Sequence, residues 1–425
     1  MSFPRYPKYK ASGVEWLGEV PEHWEVVPFK HRCSRYALYG ANMSSDEYVS
    51  NGVRFLRTTD ISENGELEPD GVFISPEVAR EYLLKDRDIL ISRSGTIGRA
   101  FVFAADVHPE CAYAGYLVRF VPTKQLNSRL FFYFTKSVAF SDWLQTQLIF
   151  STIGNVNGQK YAQCRLTLPP LPEQITIAAF LDHETAKIDE LVAEQERLID
   201  LLKEKRQAVI SHAVTKGLNP DAPMKDSGIE WLGEVPVGWA VLKLKYLCKV
   251  QTGDKDTENA VESGQYLFFV RSQTVERINS MAFDCEAVLT AGDGVGVGKV
   301  FHYHKGPFDF HQRVYMMHDF QKVSGPFFFH YLRENFFKVA LEGGAKSTVD
   351  SLRRPMFMNF PVCVPSVSEQ STIVTLIEAE SAKFDTLTTE ANRVIDLLKE
   401  RRIALISAAV TGQIDVRNLV PVESA

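Results

Sequence analysis

Residues 12–26 read SGVEWLGEVPEHWEV, and residues 227–241 read SGIEWLGEVPVGWAV. Eleven of the fifteen positions are identical, among them Trp16 with Trp231, Pro21 with Pro236 and Trp24 with Trp239. Chance does not produce that match, so the chain is an internal duplication, and self-similarity decides its architecture before any single motif does. A second matched pair lies downstream: EQITIAAFLDHETAKIDELVAEQERLIDLLKEKRQAVISHAVT begins at Glu173, and EQSTIVTLIEAESAKFDTLTTEANRVIDLLKERRIALISAAVT begins at Glu369. The offset is 215 residues for the first pair and 196 for the second, so the later half has lost residues between its markers. Inside the divergent interval, VRFLRTTDI around Arg57 echoes LFFVRSQTV around Arg271. RDILISRSGTIGRAFVF from Arg87 echoes GDGVGVGKVFHY from Gly292, with Asp88 set against Asp293. The order marker, variable domain, helix therefore occurs twice.

From Glu173 to about Thr215 neither Pro nor Gly interrupts the chain, and apolar residues recur at Ile188, Leu191, Leu198, Leu202 and Val209. The second copy repeats the pattern with Phe384, Leu387, Val394, Leu398 and Leu405. This is close to an a/d heptad seam with charges such as Glu194, Arg197 and Glu204 between. Two copies of one seam in a single chain pack most simply on each other as an intramolecular coiled coil; two helices packed separately on their own domains are the alternative. About 40 residues at 1.5 Å each make a rod of roughly 60 Å.

The variable domains, about 26–170 and 241–364, read differently. Short runs such as VRFLRTT, DILIS, RAFVF, LVRFV, YLFFV and VFHYH are β-branched and aromatic and are separated by Gly, Pro, Asn and Asp. Helical pieces interrupt them at LFFYFTKSVAFSDWLQ from Leu130 and FFFHYLRENFFKVAL from Phe327. The expected fold class is α+β: two pseudo-repeated domains, mostly β with short helices, and two long helices.

Composition bounds the function. The 425 residues are 45% hydrophobic and 11% aromatic, values of a globular chain of two or three domains rather than a disordered one. No run of about 18 apolar residues is available to span a bilayer, and the start MSFPRYPKYKASG has no apolar signal region, so a cytoplasmic protein without a membrane partner is expected. Cys33, Cys111, Cys164, Cys248, Cys285 and Cys363 form no CxxC pair, which indicates neither a disulfide framework nor a zinc ribbon. The net charge of -6 argues against binding polyanions by backbone charge alone. That acidity is unevenly spread: residues 24–168 hold 16 basic to 15 acidic side chains and 240–364 hold 15 to 13, whereas the helix at 173–217 holds 6 to 9. The variable domains are near neutral, and the rod carries part of the excess.

Several chemistries are excluded by residue type. GDGVGVGK at 292–299 is not a phosphate loop, because Asp293 stands where the first glycine is required and Val300 follows Lys299 where Ser or Thr would bind magnesium. His302, His304 and His311 have no carboxylate or Cys at ligand spacing. No GxSxG elbow, no DPPY or NPPF element for base methylation and no spaced acidic set of a nuclease occurs. A non-enzyme with no cofactor and no metal of its own is expected.

The Trp marker, the junction PPLPEQITIAAFL at 169–181, the helix end RLIDLLKEKRQAVISHAVTKGL at 197–218 and their second copies closely resemble the specificity (S) subunit of type I restriction–modification systems. The second junction departs from the pattern, reading VPSVSEQ at 364–370. The resemblance covers nearly the whole chain. It implies two target recognition domains, each reading one half of a split DNA sequence, joined by two helices that pair as an antiparallel coiled coil. It also implies three kinds of partner: double-stranded DNA, two adenine methyltransferase (M) subunits that use S-adenosylmethionine, and restriction/translocase (R) subunits that use ATP and Mg. The catalytic residues would belong to those subunits. On this reading residues 1–170 are the first recognition domain with its Trp marker, 171–217 the central spacer helix, 218–364 a linker, the second marker and the second recognition domain, 365–413 the distal spacer helix and 414–425 a tail. A nucleic-acid hydrolase with an unrecognised site and a duplicated module that binds no DNA are the competing functions.

Base readout needs Arg or Lys for guanine, Asn or Gln for adenine and Ser or Thr for either. The first domain offers Arg57, Thr58 and Thr59 after an apolar strand, then Arg93, Ser94 and Thr96 in a polar turn before Arg99, and further on Asn155, Asn157, Gln159 and Lys160. The second offers Arg271, Ser272, Gln273, Lys299, Gln312, Arg313, Lys346 and Ser347. Each group has a structural alternative: SGTIG also suits a hairpin turn whose glycines take positive φ, and Arg57 and Arg271 also suit internal ion pairs. The Trp16/Trp24 and Trp231/Trp239 markers suit either core anchors or docking patches for the M subunits, with core closure expected.

Overall fold

The computed structural model describes residues 3–148, 154–342 and 354–419. It divides into two compact units, Met1–Gln195 with Arg393–Ala425, and Glu196–Asn392. The division cuts through both long helices. The central helix, Leu171–Lys216, gives its first half to the first unit and its second half to the second, and the distal helix, Val367–Val410, does the reverse.

Proline at 169, 170 and 172 pre-sets the backbone angle at the start of the central helix, and Glu173 in its first turn complements the positive end of the helix dipole. Gly217 at φ +79° and Gly412 at φ +75° end the two helices in the left-handed conformation that glycine tolerates best. Within the first unit, Ile177, Ala178, Phe180 and Leu181 share a core with Leu405, Ile406, Ala409 and Val410, and Arg402 pairs with Asp189 at 3.3 Å. Within the second, Ile210, Ala213 and Val214 share a core with Ile373 and Ile377, and Arg206 pairs with Asp385 at 2.6 Å. In each unit the start of one helix lies against the end of the other, which is antiparallel pairing.

The buried stripe differs from the expected seam. Ile188, Leu202, Phe384 and Leu405 are buried as expected, but Leu191, Leu198, Leu387 and Val394 are exposed, and Ile199, Ile210, Ala391 and Ile395 are buried instead. A straight α-helix drifts about 20° per heptad against a strict 3.5-residue repeat, so a seam drawn by heptads leaves the true contact face within a few turns.

In the first unit a four-stranded antiparallel sheet runs Cys33–Tyr39, Leu117–Pro122, Ile89–Ser92, Ala100–Val102, beside a three-stranded sheet Val72–Ile74, Val53–Leu56, Cys111–Tyr113. In the second unit the corresponding strands make one six-stranded sheet, Lys249–Thr252, Val314–His318, Phe283–Ala291, Phe301–Phe310, Tyr266–Phe269, Glu276–Ile278. The cause is local. Phe301–Phe310 is one continuous strand that belongs to both halves of its sheet, whereas residues 103–110 of the first unit, with Pro109 among them, break the equivalent strand in two.

Strand registers refine the internal alignment. A Cβ on Gly40 would lie 2.0 Å from the carbonyl oxygen of Tyr113, and one on Gly253 would lie 2.0 Å from that of Phe310, so both positions demand glycine. Leu56 opposes Tyr113, and Phe269 opposes Phe310. Arg57 therefore corresponds to Val270 and Arg271 to Thr58, one residue away from the expected match. Tyr39 opposes Val118 and Thr252 opposes Tyr315, which aligns Ser92 with Ala291. The turn GDGVGVGK is thus the counterpart of RSGTIGR, and Asp88 does not correspond to Asp293. Asp88 is buried in a pair with Arg119, while Asp293 sits in the turn.

The markers close the cores. Trp24 and Trp239 are buried. Trp24 Nε1 donates to Glu173 at 3.0 Å and Trp239 Nε1 to Glu369 at 3.1 Å. The next residue of each helix grips the variable domain. Gln174 Oε1 accepts from the Asn127 amide at 2.8 Å, and its Nε2 donates to the carbonyls of Gln125 and Pro169 at 3.0 and 2.9 Å. Gln370 repeats this with the Ser324 amide at 2.7 Å and the carbonyls of Lys322 and Pro365 at 2.9 and 3.0 Å. Both glutamines are almost wholly buried.

Gln370→Leu keeps the volume but leaves one buried amide and two carbonyls without partners, so a loss of roughly 2–5 kcal/mol is expected in urea unfolding. His330 sets an acid limit. It is half-buried, its Nδ1 has no hydrogen-bond partner among the described residues, and burial followed by the charges of Arg333 and Arg206 pushes its pKa from 6.5 down to about 4. The unfolded chain takes up a proton below pH 6.5 that the folded chain resists until about pH 4, so stability present above that window is lost as pH falls through it, by about 3 kcal/mol in all. Urea midpoints at pH 7 and pH 4.5 should converge in His330→Leu relative to the parent.

Candidate nucleic-acid interface

Six of the second-domain candidates meet on one surface. Asp293, in the turn between the two longest strands, accepts from Arg271 Nη1 at 3.0 Å and from Arg313 Nη1 at 2.8 Å. Desolvation pulls its carboxyl upward, but the two guanidinium hydrogen bonds outweigh that and hold it below the usual carboxylate range. Gln273 Nε2 donates to the Lys299 carbonyl at 3.0 Å, and Ser272 Oγ donates to the Thr274 carbonyl at 2.9 Å. A ring nitrogen of His302 contacts the Ser272 carbonyl at 2.9 Å. Gln312 Nε2 donates to Asp256 at 2.5 Å, and the Arg313 amide donates to His311 Nδ1 at 2.9 Å. Arg271, Ser272, Gln273, Lys299, Gln312 and Arg313 are all exposed, on turns whose backbones are pinned from below. Lys346 and Ser347 lie outside the described residues.

The first domain builds a different surface. Arg93 lies over the Tyr39 ring at 5.1 Å, the Gly158 amide donates to Tyr39 Oη at 3.0 Å, and the Val156 amide donates to the Arg93 carbonyl at 3.0 Å. These contacts bring Arg93 to the loop of Asn155 and Asn157. Asn157 caps the short helix Gly158–Gln163 by accepting from the Lys160 amide at 2.9 Å, Gln159 is exposed on it, and Lys160 Nζ donates to the Gln147 carbonyl at 3.1 Å. Tyr116, whose carbonyl accepts from the Arg93 amide at 3.0 Å, is exposed beside it. Sequence reading missed Tyr39 and Tyr116; the signal available was an aromatic bordering a basic turn, visible only once the strands are paired.

Arg57 is committed internally. Its Nε and Nη2 bind Asp60 at 3.0 and 2.7 Å, and the Asp60 side chain is 4% exposed. Side-chain hydrogen bonding to Asp60 raises the pKa of the guanidinium. Thr58 is half-buried and Thr59 exposed beside this pair. Arg99 Nη1 donates to the Ile61 carbonyl at 2.7 Å. Ser94 and Thr96 remain on the SGTIG turn, where Gly95 and Gly98 take φ of +70° and +83°. Thr96 and Arg99 also line a cleft of about 430 Å³ with Lys136 and Ser137. Among the described residues, no group of three or more His, Cys, Asp or Glu is placed to hold a metal ion.

The family model for the type I restriction modification DNA specificity domain matches this chain twice, over residues 40–199 and 236–396. The chain belongs to that family. The first match begins inside the first variable domain and the second just before the second variable domain, and each runs into the long helix that follows, so the specificity domain is the repeated unit. The specificity subunit of the type I restriction enzyme EcoDI of Escherichia coli is 32% identical over 182 residues, 43% of this chain and 40% of that one. The EcoKI specificity subunit of E. coli is 26% identical over 205 residues, 46% of this chain and 44% of that one. The chain thus spans less than half the length of either. The MjaVIII specificity subunit of Methanocaldococcus jannaschii is 21% identical over 94% of this chain and 95% of that one. A chain solved in work on complex assembly and conformational transition of the type I R-M system shares the fold at a TM-score of 0.71 and 14% identity, over 92% of this specificity chain and 98% of that one. The HsdS subunit of Thermoanaerobacter tengcongensis shares it at 0.54 and 14% identity, over 93% and 98%. No described helix of the specificity chain is long and apolar enough to cross a membrane.

The contrast between Arg57 and Arg271 is measurable as stability. Arg57→Ala leaves the buried Asp60 carboxylate without its guanidinium, though still bonded to the residue 57 amide, and should lower the unfolding free energy by roughly 1–3 kcal/mol, the partial exposure of the arginine keeping the figure below that of a fully buried pair. Arg271→Ala, on an exposed pair, should cost less than about 1 kcal/mol in the same urea titration.

Proposed function

We propose that this chain is the sequence-reading and scaffolding subunit of a type I restriction–modification complex, and that its duplex DNA target is bipartite and asymmetric. One observation supports this above the others: the two units repeat the same Trp–Glu and Gln junctions yet present different polar surfaces, an Asp-linked arginine pair in one and an arginine–tyrosine stack in the other. Equivalent scaffolds with unlike surfaces suit two half-sites of unlike sequence. Arg271, Ser272, Gln273, Lys299, Gln312 and Arg313 are proposed for one half-site. Arg93, Ser94, Thr96, Asn155, Asn157, Gln159 and Lys160 are proposed for the other, with Arg57, Thr58, Thr59 and Arg99 supporting the loops from behind.

In this reading the paired helices set the separation of the half-sites and read no bases, as docking geometry does in other two-site DNA readers. Two equivalent junctions fit two methyltransferase subunits. Adenine methylation with S-adenosylmethionine, and ATP- and Mg-dependent translocation where restriction subunits are present, then belong to those partners. A bound methyltransferase also supplies backbone grip that a chain of net charge -6 lacks.

The decisive measurement is methylome sequencing of cells carrying this chain with its methyltransferase partner, where a split motif with a fixed gap is expected. The purified chain alone, given magnesium, S-adenosylmethionine and ATP, should leave DNA unchanged, and robust cleavage or methylation by it would sink the proposal. Removing one matched heptad from both helices shortens the rod by about 10 Å and should shorten the gap by roughly three base pairs with both half-sites retained.

A further inference from the structure

Arg271 and Arg313 meet Asp293 through one nitrogen each. Nη1 of Arg271 lies 3.0 Å from Oδ1, and Nη1 of Arg313 lies 2.8 Å from Oδ2. Neither guanidinium has a further hydrogen-bond partner among the described residues, so the Nε–Nη2 edge of each is free. The side chains are 41% and 59% exposed, while that of Asp293 is 16% exposed. The carboxylate is therefore a brace beneath two arginines rather than a competitor at their outer edges. Arg57 of the first unit shows the opposite case, because its Nε and Nη2 are both occupied by Asp60.

A free Nε–Nη2 edge is a planar pair of donors. The major-groove edge of guanine presents two adjacent acceptors, O6 and N7, that match it; adenine pairs an acceptor with a donor, cytosine offers a donor, and thymine offers one acceptor and a methyl group. Phosphate also accepts a bidentate guanidinium. Two features disfavour phosphate here. Asp293 and the exposed Asp256 pair with the strip from His311 to Arg313, so part of its positive charge is cancelled where an anion would sit. The brace also fixes both arginines before binding, which lowers the entropy cost of a directional contact and adds little to a simple charge contact.

We propose that Arg271 and Arg313, held by Asp293 as a positioning residue, read guanine edges in the major groove, so that the half-site of the second unit contains guanine. This rests on the reading of the chain as a DNA-recognition subunit.

The test uses the full chain with its methyltransferase partner and selection from duplex DNA randomised across both half-sites. The parent should select guanine in one half. Arg271→Ala and Arg313→Ala should each reduce the preference for guanine at one position by roughly 10- to 100-fold while the other half-site is selected unchanged, which also shows that the variants fold. Asp293→Asn should weaken both positions together. Replacing the selected guanines by 7-deazaguanine, which lacks the N7 acceptor, should lower affinity for the parent and leave the matching arginine variant unaffected. A half-site of A·T pairs only, an equal loss of affinity on every sequence, or indifference to 7-deazaguanine would overturn the assignment while leaving the recognition role intact. A parent complex that selects no sequence would overturn the recognition role, and this assignment with it.

Discussion

A buried glutamine at the first turn of each long helix is the contact on which both units depend. Gln174 and Gln370 each accept one backbone amide and donate to two backbone carbonyls, so one side chain fastens the helix start, the segment before it and a loop of the variable domain. The glutamate beside each receives the indole N–H of a marker tryptophan. The EQ dipeptide is therefore the point where marker, domain and helix are tied. A surface can diverge on such a base because the tie uses backbone groups, which persist when the neighbouring side chains change.

Divergence has followed that allowance. The same strand order is carried as two sheets in the first unit and as one six-stranded sheet in the second, because a single strand is broken in one and continuous in the other. The turns that follow equivalent strands then differ in what their charges do. Asp88 and Asp60 neutralise arginines inside the first unit, whereas Asp293 holds two arginines at the surface of the second. A carboxylate beside an arginine leaves different donor edges available according to which guanidinium nitrogens it engages.

Much of the architecture was legible in the residues. The repeat, the two long helices, their mutual pairing and the α+β domains follow from patterns that recur along the chain, whereas the antiparallel sense came with the family resemblance, and the structure chose core closure over surface docking for Trp24 and Trp239. The strict seam did not survive: Leu191 and Leu387 face solvent while Ile199 and Ile395 are buried, since helical phase drifts from a heptad and sequence alone does not state the crossing. Alignment of the variable domains was legible only to within a residue or a turn. Similarity of residues pairs Arg57 with Arg271 and Asp88 with Asp293, but strand pairing aligns them with Val270 and Ala287; a one-residue slip reverses the face of a strand and changes which side chains can meet.

The sequence by itself determined the duplication, the family and the kinds of residue available for reading DNA, because these rest on identity and spacing, which are one-dimensional. Only the tertiary structure decided which polar residues share a surface. Arg271 and Arg313 are joined by Asp293, and Arg93 by Tyr39, through strands far apart in the chain. It also decided that Arg57 turns inward. Those outcomes depend on hydrogen-bond geometry of a few tenths of an ångström, set by strand register and turn shape, which composition and spacing do not encode.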